Sequence, residues 1–81
     1  MAWVYILRGT SGRHYIGATR DLEARLAEHR KGGVKTTKRL GHPLELVVTA
    51  EFPEIKEAMA AERMLKSWKS PAKAIAWLEA R

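Results

Sequence analysis

The sequence contains no cysteine among its 81 residues. Disulfide bonds and thiolate metal sites are therefore excluded, and the composition is compatible with a reducing cytoplasm. No apolar run approaches the roughly 18 residues that a membrane-spanning helix needs. The N-terminus also lacks a basic leader followed by a small-residue cleavage site. We therefore expect a cytoplasmic protein with no membrane contact.

Acidic residues are few as well. The chain has 9 Asp and Glu against 15 Lys and Arg, which gives a formal net charge of +6. Such a charge attracts polyanions through phosphate contacts and counterion release. Charge alone leaves solubility as an equally good explanation, because a net charge of about 2–8 is ordinary for a small domain. The hydrophobic content of 46% suits a globular core, and we predict a single domain over residues 1–81.

Turn-forming residues divide the chain into strand-like and helical segments. The predicted elements are strands over 3–8 and 14–17, a helix from 21 to about 31, a basic loop over 34–43, a strand over 44–52, and helices over 54–69 and 71–78. Thr19 or Asp21 is expected to cap the first helix, Gly32 to follow its end, and Ser70 to cap the last helix. Gly17 is expected to end or bulge the second strand. The order β-β-α-β-α-α predicts an α+β fold with a three-stranded, mostly antiparallel sheet flanked by helices.

The first helix carries polar residues on its apolar face. Leu22 and Leu26 are its large apolar residues and must point inward. Arg25 and His29 lie three and seven residues after Leu22, so they lean inward with the two leucines. An arginine is almost never buried without a partner. The alternative is that the Arg25 stem reaches out to solvent and His29 is a rim residue.

The second long helix repeats this pattern with a carboxylate. Glu62 lies on or beside an apolar stripe that includes Ala58, Met59 and Leu65. It lies in the middle of the helix, so the helix dipole does not explain it. The alternative is an exposed glutamate that pairs with Lys66 at i+4.

Two short motifs in the predicted hairpin contain the only tyrosines of the chain. Periodicity alone would place Tyr5 and Tyr15 in the core with their hydroxyls in water. However, Val4-Tyr5-Ile6 followed by Tyr15-Ile16-Gly17 resembles the paired motif that names the GIY-YIG nuclease family. Residues 21–29, with an arginine four residues before a histidine, resemble the first helix of that family. The segment around Glu62 resembles the one that carries its metal-binding glutamate.

The resemblance covers about residues 3–70, and it is imperfect. Trp3 replaces the first glycine of the family name. Ala18 stands where some members carry a lysine after the second motif, and the chain has no asparagine for the late position that some members use. These differences bear on the turnover rate more than on the fold.

The resemblance implies a GIY-YIG fold and a DNA endonuclease of the small bacterial type. Such an enzyme hydrolyses phosphodiester bonds with one divalent metal ion, Mg²⁺ or Mn²⁺. Tyr5, Tyr15, Arg25 and His29 match the family's catalytic residues, and Glu62 matches its metal ligand. Arg25 would hold a phosphate oxygen, a tyrosine would take the proton from water, and His29 would orient that tyrosine or pass the proton on.

A run of basic residues follows the first helix and is the best candidate for contacts with the DNA backbone. The run consists of Arg30, Lys31, Lys35, Lys38 and Arg39. No recognition helix or zinc finger is evident, so we expect structure-selective rather than sequence-selective cleavage, in DNA repair or recombination. The alternatives are a non-catalytic nucleic-acid-binding module and a small protein-interaction domain that uses Trp68 or Trp77. RNA as a substrate and a protein partner stay open.

Overall fold

The computed structural model describes residues 1–81, apart from the side chain of Thr36. The elements are β1 (Ala2–Arg8), β2 (His14–Thr19), α1 (Leu22–Arg30), α2 (Lys35–Lys38), β3 (Glu45–Phe52), α3 (Ile55–Ser67) and α4 (Pro71–Glu79). The predicted fold class and the order of the long elements are confirmed. The prediction of a basic loop over residues 34–43 is wrong in one respect, because this segment contains the single helical turn α2.

The sheet is built around its first strand. The strand order is β2-β1-β3, and both pairings are antiparallel. Because side chains alternate along a strand, Val4 and Ile6 face one side of the sheet while Tyr5 and Leu7 face the other. The middle strand therefore contributes to two separate clusters, one on each face.

Helices α3 and α4 cover the first face and form the main core. Small residues of these helices, such as Ala58, Ala61 and Ala74, let the helix backbones lie close to the strands. The buried members of this cluster are Ala2, Val4, Ile6, Ala50, Phe52, Ala58, Ala61, Leu65, Ala74 and Leu78. Trp77 packs beside the core and stacks on Phe52 with ring centroids 6.5 Å apart. None of the helices in the described chain is long and apolar enough to cross a membrane.

The second face carries a smaller cluster that packs against α1. Tyr5, Leu7 and Leu26 are buried in it, and Tyr15, Leu22 and Leu44 are partly buried around them. The inward orientation predicted for Leu22 and Leu26 is thus confirmed. This face contains fewer apolar side chains than the first, and it holds the buried polar residues His29 and Thr37.

Gly17 neither ends nor bulges the second strand, so this prediction is wrong. Strand β2 continues to Thr19, and Gly17 pairs with Tyr5 across β1 and β2. A Cβ atom at Gly17 would lie 2.5 Å from the Tyr5 hydroxyl, closer than van der Waals contact permits. The glycine therefore makes room for the Tyr5 side chain. The irregular register occurs instead between β1 and β3, at Ile6 and Leu7.

The helix ends follow the predicted capping chemistry. The Asp21 carboxylate caps α1, whereas Thr19, the alternative cap, accepts a hydrogen bond from the Asp21 backbone N–H. Gly32 follows the end of α1 with a φ of 77°, a left-handed conformation that favours glycine. Ser70 caps α4, and Pro71 occupies its first position.

Replacement of Leu65 by alanine should destabilise the fold strongly. Leu65 is 1% exposed in the main core, and truncation of a buried leucine costs about 2–5 kcal/mol. Met59→Ala is the matched control, because Met59 lies on the same helix and is 50% exposed. Urea unfolding of both variants measures the difference. Equal losses of stability would contradict the packing of α3 described above.

Candidate active site

Three aromatic rings from three elements meet on the second face of the sheet. Tyr5 comes from the middle of β1, Tyr15 from the neighbouring strand β2, and His29 from the last turn of α1. The His29 ring centroid lies 5.6 Å from that of Tyr5 and 5.1 Å from that of Tyr15. The two tyrosine rings are 6.2 Å apart. The residues that the sequence predicts to be catalytic in β1, β2 and α1 therefore lie together.

A buried hydrogen bond joins the sheet to α1 within this cluster. The Tyr5 hydroxyl lies 2.8 Å from His29 Nε2, and neither residue has exposed surface. The other ring nitrogen, Nδ1, lies 2.9 Å from the hydroxyl oxygen of Thr37, which is also fully buried. Sequence reasoning missed Thr37, because nothing in a basic segment marks one threonine as buried. The expectation that the Tyr5 hydroxyl meets water does not hold in this structure.

Burial keeps this pair uncharged. Desolvation raises the pKa of Tyr5 to about 12, against a smaller lowering by a hydrogen bond to Arg25. Desolvation also lowers the pKa of His29 below its usual value, and the positive charge of Arg25 adds to this effect. Near neutral pH the phenol therefore keeps its proton and the imidazole is neutral.

Arg25 lies between the cluster and solvent. Its side chain is 35% exposed, and Nη1 makes an ion pair of 2.9 Å with Glu28. Its guanidinium also faces the tyrosines, since hydrogen bonding to Tyr5 and, more weakly, to Tyr15 holds the Arg25 pKa above its usual value. Arg25 thus leans inward toward the tyrosines, as predicted, and its head group also reaches solvent, as the alternative had it.

Glu62 approaches the same tyrosines from α3. Its side chain is 19% exposed and makes an ion pair of 2.9 Å with Lys66, as the i+4 alternative predicts. The negative charge of Glu62 is among the smaller influences that raise the pKa of Tyr5, so its carboxylate lies within electrostatic range of the cluster. Lys66 Nζ lies 5.8 Å from the centroid of the Tyr15 ring. Glu62 and Lys66 therefore border the site.

The described side chains form no closed cage for a metal ion. No three His, Asp or Glu side chains of the described residues come together in metal-binding geometry. His42 donates a hydrogen bond of 3.0 Å to the backbone carbonyl of His29 and is a structural residue here. Mg²⁺ often takes only one or two protein carboxylates, keeps several waters and binds substrate phosphate oxygens. Glu62 fits that donor set.

The predicted basic run lies next to His29 along the chain and on the surface. Arg30 is the last residue of α1, and Lys35 and Lys38 are the first and last residues of α2. All five members of the run, which also includes Lys31 and Arg39, are exposed. None of them takes part in an ion pair among the described side chains. These charges are therefore available to a polyanion.

The Tyr5 phenol should ionise at unusually high pH. Its pKa of about 12 predicts that a phenolate absorbance step appears in alkaline titration well above the value of about 10 for a free tyrosine. Tyr5→Phe should remove this step, and Tyr15→Phe should leave it in place. A step near pH 10 that disappears in Tyr5→Phe would contradict the buried position of the hydroxyl.

Comparison with known proteins gives one consistent family. Residues 1–75 match the GIY-YIG catalytic domain. A UPF0213 protein from Streptococcus pneumoniae is 42% identical over 73 residues, which cover 89% of this chain and 73% of that protein. A UPF0213 protein from Xanthomonas campestris is 33% identical over 96% of this chain and 76% of its own length.

A solved structure agrees with these relatives. The solution NMR structure of a UPF0213 protein from Bacillus halodurans aligns with a TM-score of 0.59 and 33% sequence identity. The alignment covers 100% of this chain and 86% of that one. The three-stranded antiparallel sheet with its flanking helices is therefore found in a solved relative.

Proposed function

Because the chain belongs to the GIY-YIG catalytic domain family, a family of nucleases, we propose that it is a DNA endonuclease that hydrolyses phosphodiester bonds with one divalent metal ion. The observation that carries the proposal is the hydrogen bond of 2.8 Å between the Tyr5 hydroxyl and His29 Nε2. A phenol with a pKa of about 12 is a poor base by itself, because its proton must leave before it can accept another. The neutral imidazole beside it provides the place for that proton.

The proton of the attacking water ends on His29 in this proposal. Tyr5 passes its own proton to His29 Nε2 while the phenol oxygen takes the proton from water. The O–H bond of Tyr5 is thus broken and replaced. The hydroxide forms a bond to phosphorus while the bond from phosphorus to the leaving oxygen breaks, and that oxygen takes a proton from solvent. Tyr5 has no exposed surface. The substrate phosphate must therefore draw the Arg25 guanidinium aside before water reaches the hydroxyl.

Arg25 is the residue best placed to bind that phosphate. Its guanidinium is planar and always charged, and it binds phosphate oxygens in a two-pronged geometry. In the free protein it is balanced by Glu28 at 2.9 Å, a pair that a phosphate can replace. Bound to the phosphate, the guanidinium stabilises the negative charge that develops during attack. Tyr15 forms the half-buried wall between the cluster and Lys66.

Glu62 is the residue that would hold the metal ion, Mg²⁺ or Mn²⁺. When bound, such an ion neutralises charge on the phosphate and assists the leaving oxygen. Glu62 must first release Lys66, its partner at 2.9 Å. We expect weak metal binding to the free protein and stronger binding once a phosphate adds its oxygens.

The shape of the basic surface supports backbone recognition rather than base readout. Its cations lie at the end of α1 and on the four-residue helix α2, which is too short to serve as a helix that reads the major groove. We therefore propose structure-selective cleavage, with a role in DNA repair or recombination, and RNA remains a second possible substrate for the same contacts.

One observation favours a second candidate function. The ion pair between Glu62 and Lys66 neutralises the carboxylate that would hold the metal ion. A chain that retained this pair in the presence of DNA would bind nucleic acid without cutting it. Cleavage and binding measurements separate the two functions.

Replacement of Glu62 should abolish metal-dependent cleavage. We expect Glu62→Ala to lower kcat/KM on labelled duplex, nicked or branched DNA by at least about 100-fold, since a bound metal supplies several kcal/mol of charge stabilisation. Glu57→Ala is the matched control, because Glu57 is exposed in the first turn of the same helix. Absence of products from wild-type protein that still binds DNA would favour the non-catalytic module.

Loss of two lysines of α2 should reduce the salt dependence of DNA binding. Each phosphate contact removed lowers the slope of log Kd against log salt concentration by about 1, so Lys35→Gln with Lys38→Gln should lower it by about 2. Lys56→Gln is the control, because Lys56 lies near Met1 and Arg20, at the other end of β1. Fluorescence anisotropy at several salt concentrations gives the slopes. An unchanged slope in the double variant would mean that α2 does not contact the backbone.

A further inference from the structure

Three buried side chains form a continuous hydrogen-bonded chain that ends on the backbone. The Tyr5 hydroxyl lies 2.8 Å from His29 Nε2, and His29 Nδ1 lies 2.9 Å from Thr37 Oγ1. Thr37 Oγ1 in turn lies 3.1 Å from the carbonyl oxygen of Val34. Tyr5, His29 and Thr37 have no exposed surface. Bulk solvent therefore does not reach these groups, and the directions of the bonds follow from their protein partners.

The single hydroxyl proton of Thr37 determines which nitrogen of His29 carries a proton. The Val34 carbonyl can only accept, so the Thr37 hydroxyl donates to it. The Thr37 oxygen must then accept from His29, which requires a proton on Nδ1. In the neutral ring this leaves a lone pair on Nε2, and that lone pair accepts from the Tyr5 hydroxyl. In the opposite tautomer, Nδ1 would have a lone pair that faces the Thr37 oxygen, and the Thr37 proton is already donated to Val34.

We infer that Thr37 is a positioning residue that holds His29 in its Nδ1–H tautomer, with Nε2 ready to take the proton of Tyr5. This role deepens the proposed function and rests on it. When Nε2 gains a proton, the bond from Nδ1–H to Thr37 stays as it was. The ring therefore changes charge without having to turn.

A threonine that fixes the tautomer of a histidine differs in charge from a carboxylate in the same position. A carboxylate behind a histidine also fixes the tautomer, but its negative charge stabilises the protonated ring. The Thr37 hydroxyl is neutral, so it fixes the orientation of His29 without adding that stabilisation. Among the charged side chains, the positive Arg25 has the largest effect on the pKa of the ring and favours the neutral form, against a smaller opposite effect of Glu28. His29 is thus kept as a proton acceptor.

The same helical turn also presents cations to solvent. Lys35 and Lys38 are exposed on α2, while Thr37 is buried beneath them. Two further hydrogen bonds hold residues that follow α2 in place. His42 donates to the His29 carbonyl, and the Leu40 carbonyl accepts from the Ser11 backbone N–H at 3.0 Å. A bound nucleic-acid backbone that displaced α2 would therefore change the contact between Thr37 and His29.

Nitrogen NMR of the histidine ring tests the tautomer directly, and it does so whether or not the protein cleaves DNA. With ¹⁵N-labelled histidine at neutral pH, we expect His29 of the wild type to show the Nδ1–H form. Thr37→Ser should keep that form, because serine retains the hydroxyl. Thr37→Val should lose it, giving the Nε2–H form or a mixture. Wild type in the Nε2–H form, or Thr37→Val unchanged from wild type, would overturn the inference.

The variant is designed to keep the fold. Valine has nearly the shape of threonine, and the Val34 carbonyl still accepts from the Thr37 and Lys38 backbone N–H groups at 3.2 and 3.3 Å. Thr49→Val is the matched control, because the Thr49 hydroxyl also donates to a backbone carbonyl, that of Val4 at 3.3 Å. Thr49 pairs with Tyr5 across β1 and β3, but its hydroxyl is not part of the chain of bonds through His29. This control should leave the His29 tautomer and the cleavage rate unchanged.

Cleavage then tests the catalytic consequence. We expect Thr37→Val to lower kcat by about 10- to 100-fold, the usual range for a residue that orients another, and Thr37→Ser to restore most of it. If the tautomer changes in Thr37→Val while kcat equals that of wild type, the positioning role is overturned. If the wild type cuts no substrate, the proposed nuclease function and the catalytic part of this inference both fail, whereas the NMR result still decides the tautomer.

Discussion

The hydrogen bond between Tyr5 and His29 is the constraint on which the second face of the sheet depends. It crosses from the middle strand to α1, and both partners are completely buried. If this hydrogen bond were lost, the buried phenol and imidazole would each lack a partner, and an unsatisfied buried polar group costs about 1–3 kcal/mol of stability. Gly17 must then lack a side chain, since a Cβ atom there would meet the Tyr5 hydroxyl at 2.5 Å. Thr37 must in turn supply a partner to the far side of the ring.

The chemistry of the site follows from the contrast between an uncharged interior and charged borders. Burial keeps Tyr5 protonated and His29 neutral, while Arg25 and the pair of Glu62 with Lys66 lie at the edge. Each border charge is already balanced in the free protein. In the proposed mechanism, a phosphate would displace Glu28 from Arg25, and a metal ion would displace Lys66 from Glu62.

The helix-borne candidates could be singled out because the period of a helix determines which residues share a face, and the resemblance to the family motifs then assigned them to a site. Arg25, His29 and Glu62 each interrupt an apolar stripe, and that pattern is visible without a structure. Thr37 and Gly17 were missed for a different reason. Their roles depend on partners 8 and 12 residues away that only the folded chain brings together, and local propensity treats one as a loop residue and the other as a strand breaker.

The division of the sheet into two faces has an evolutionary consequence. Apolar packing against α3 and α4 holds the chain together on one face, while the other holds the tyrosine and histidine cluster. Selection for stability and selection for reactivity therefore act largely on different codons. The middle strand serves both faces, with Val4 and Ile6 alternating with Tyr5 and Leu7, and β2 does so through Ile16 and Tyr15. Substitutions at the border of the second face that keep the buried Tyr5–His29 hydrogen bond would therefore leave the packing of the first face intact.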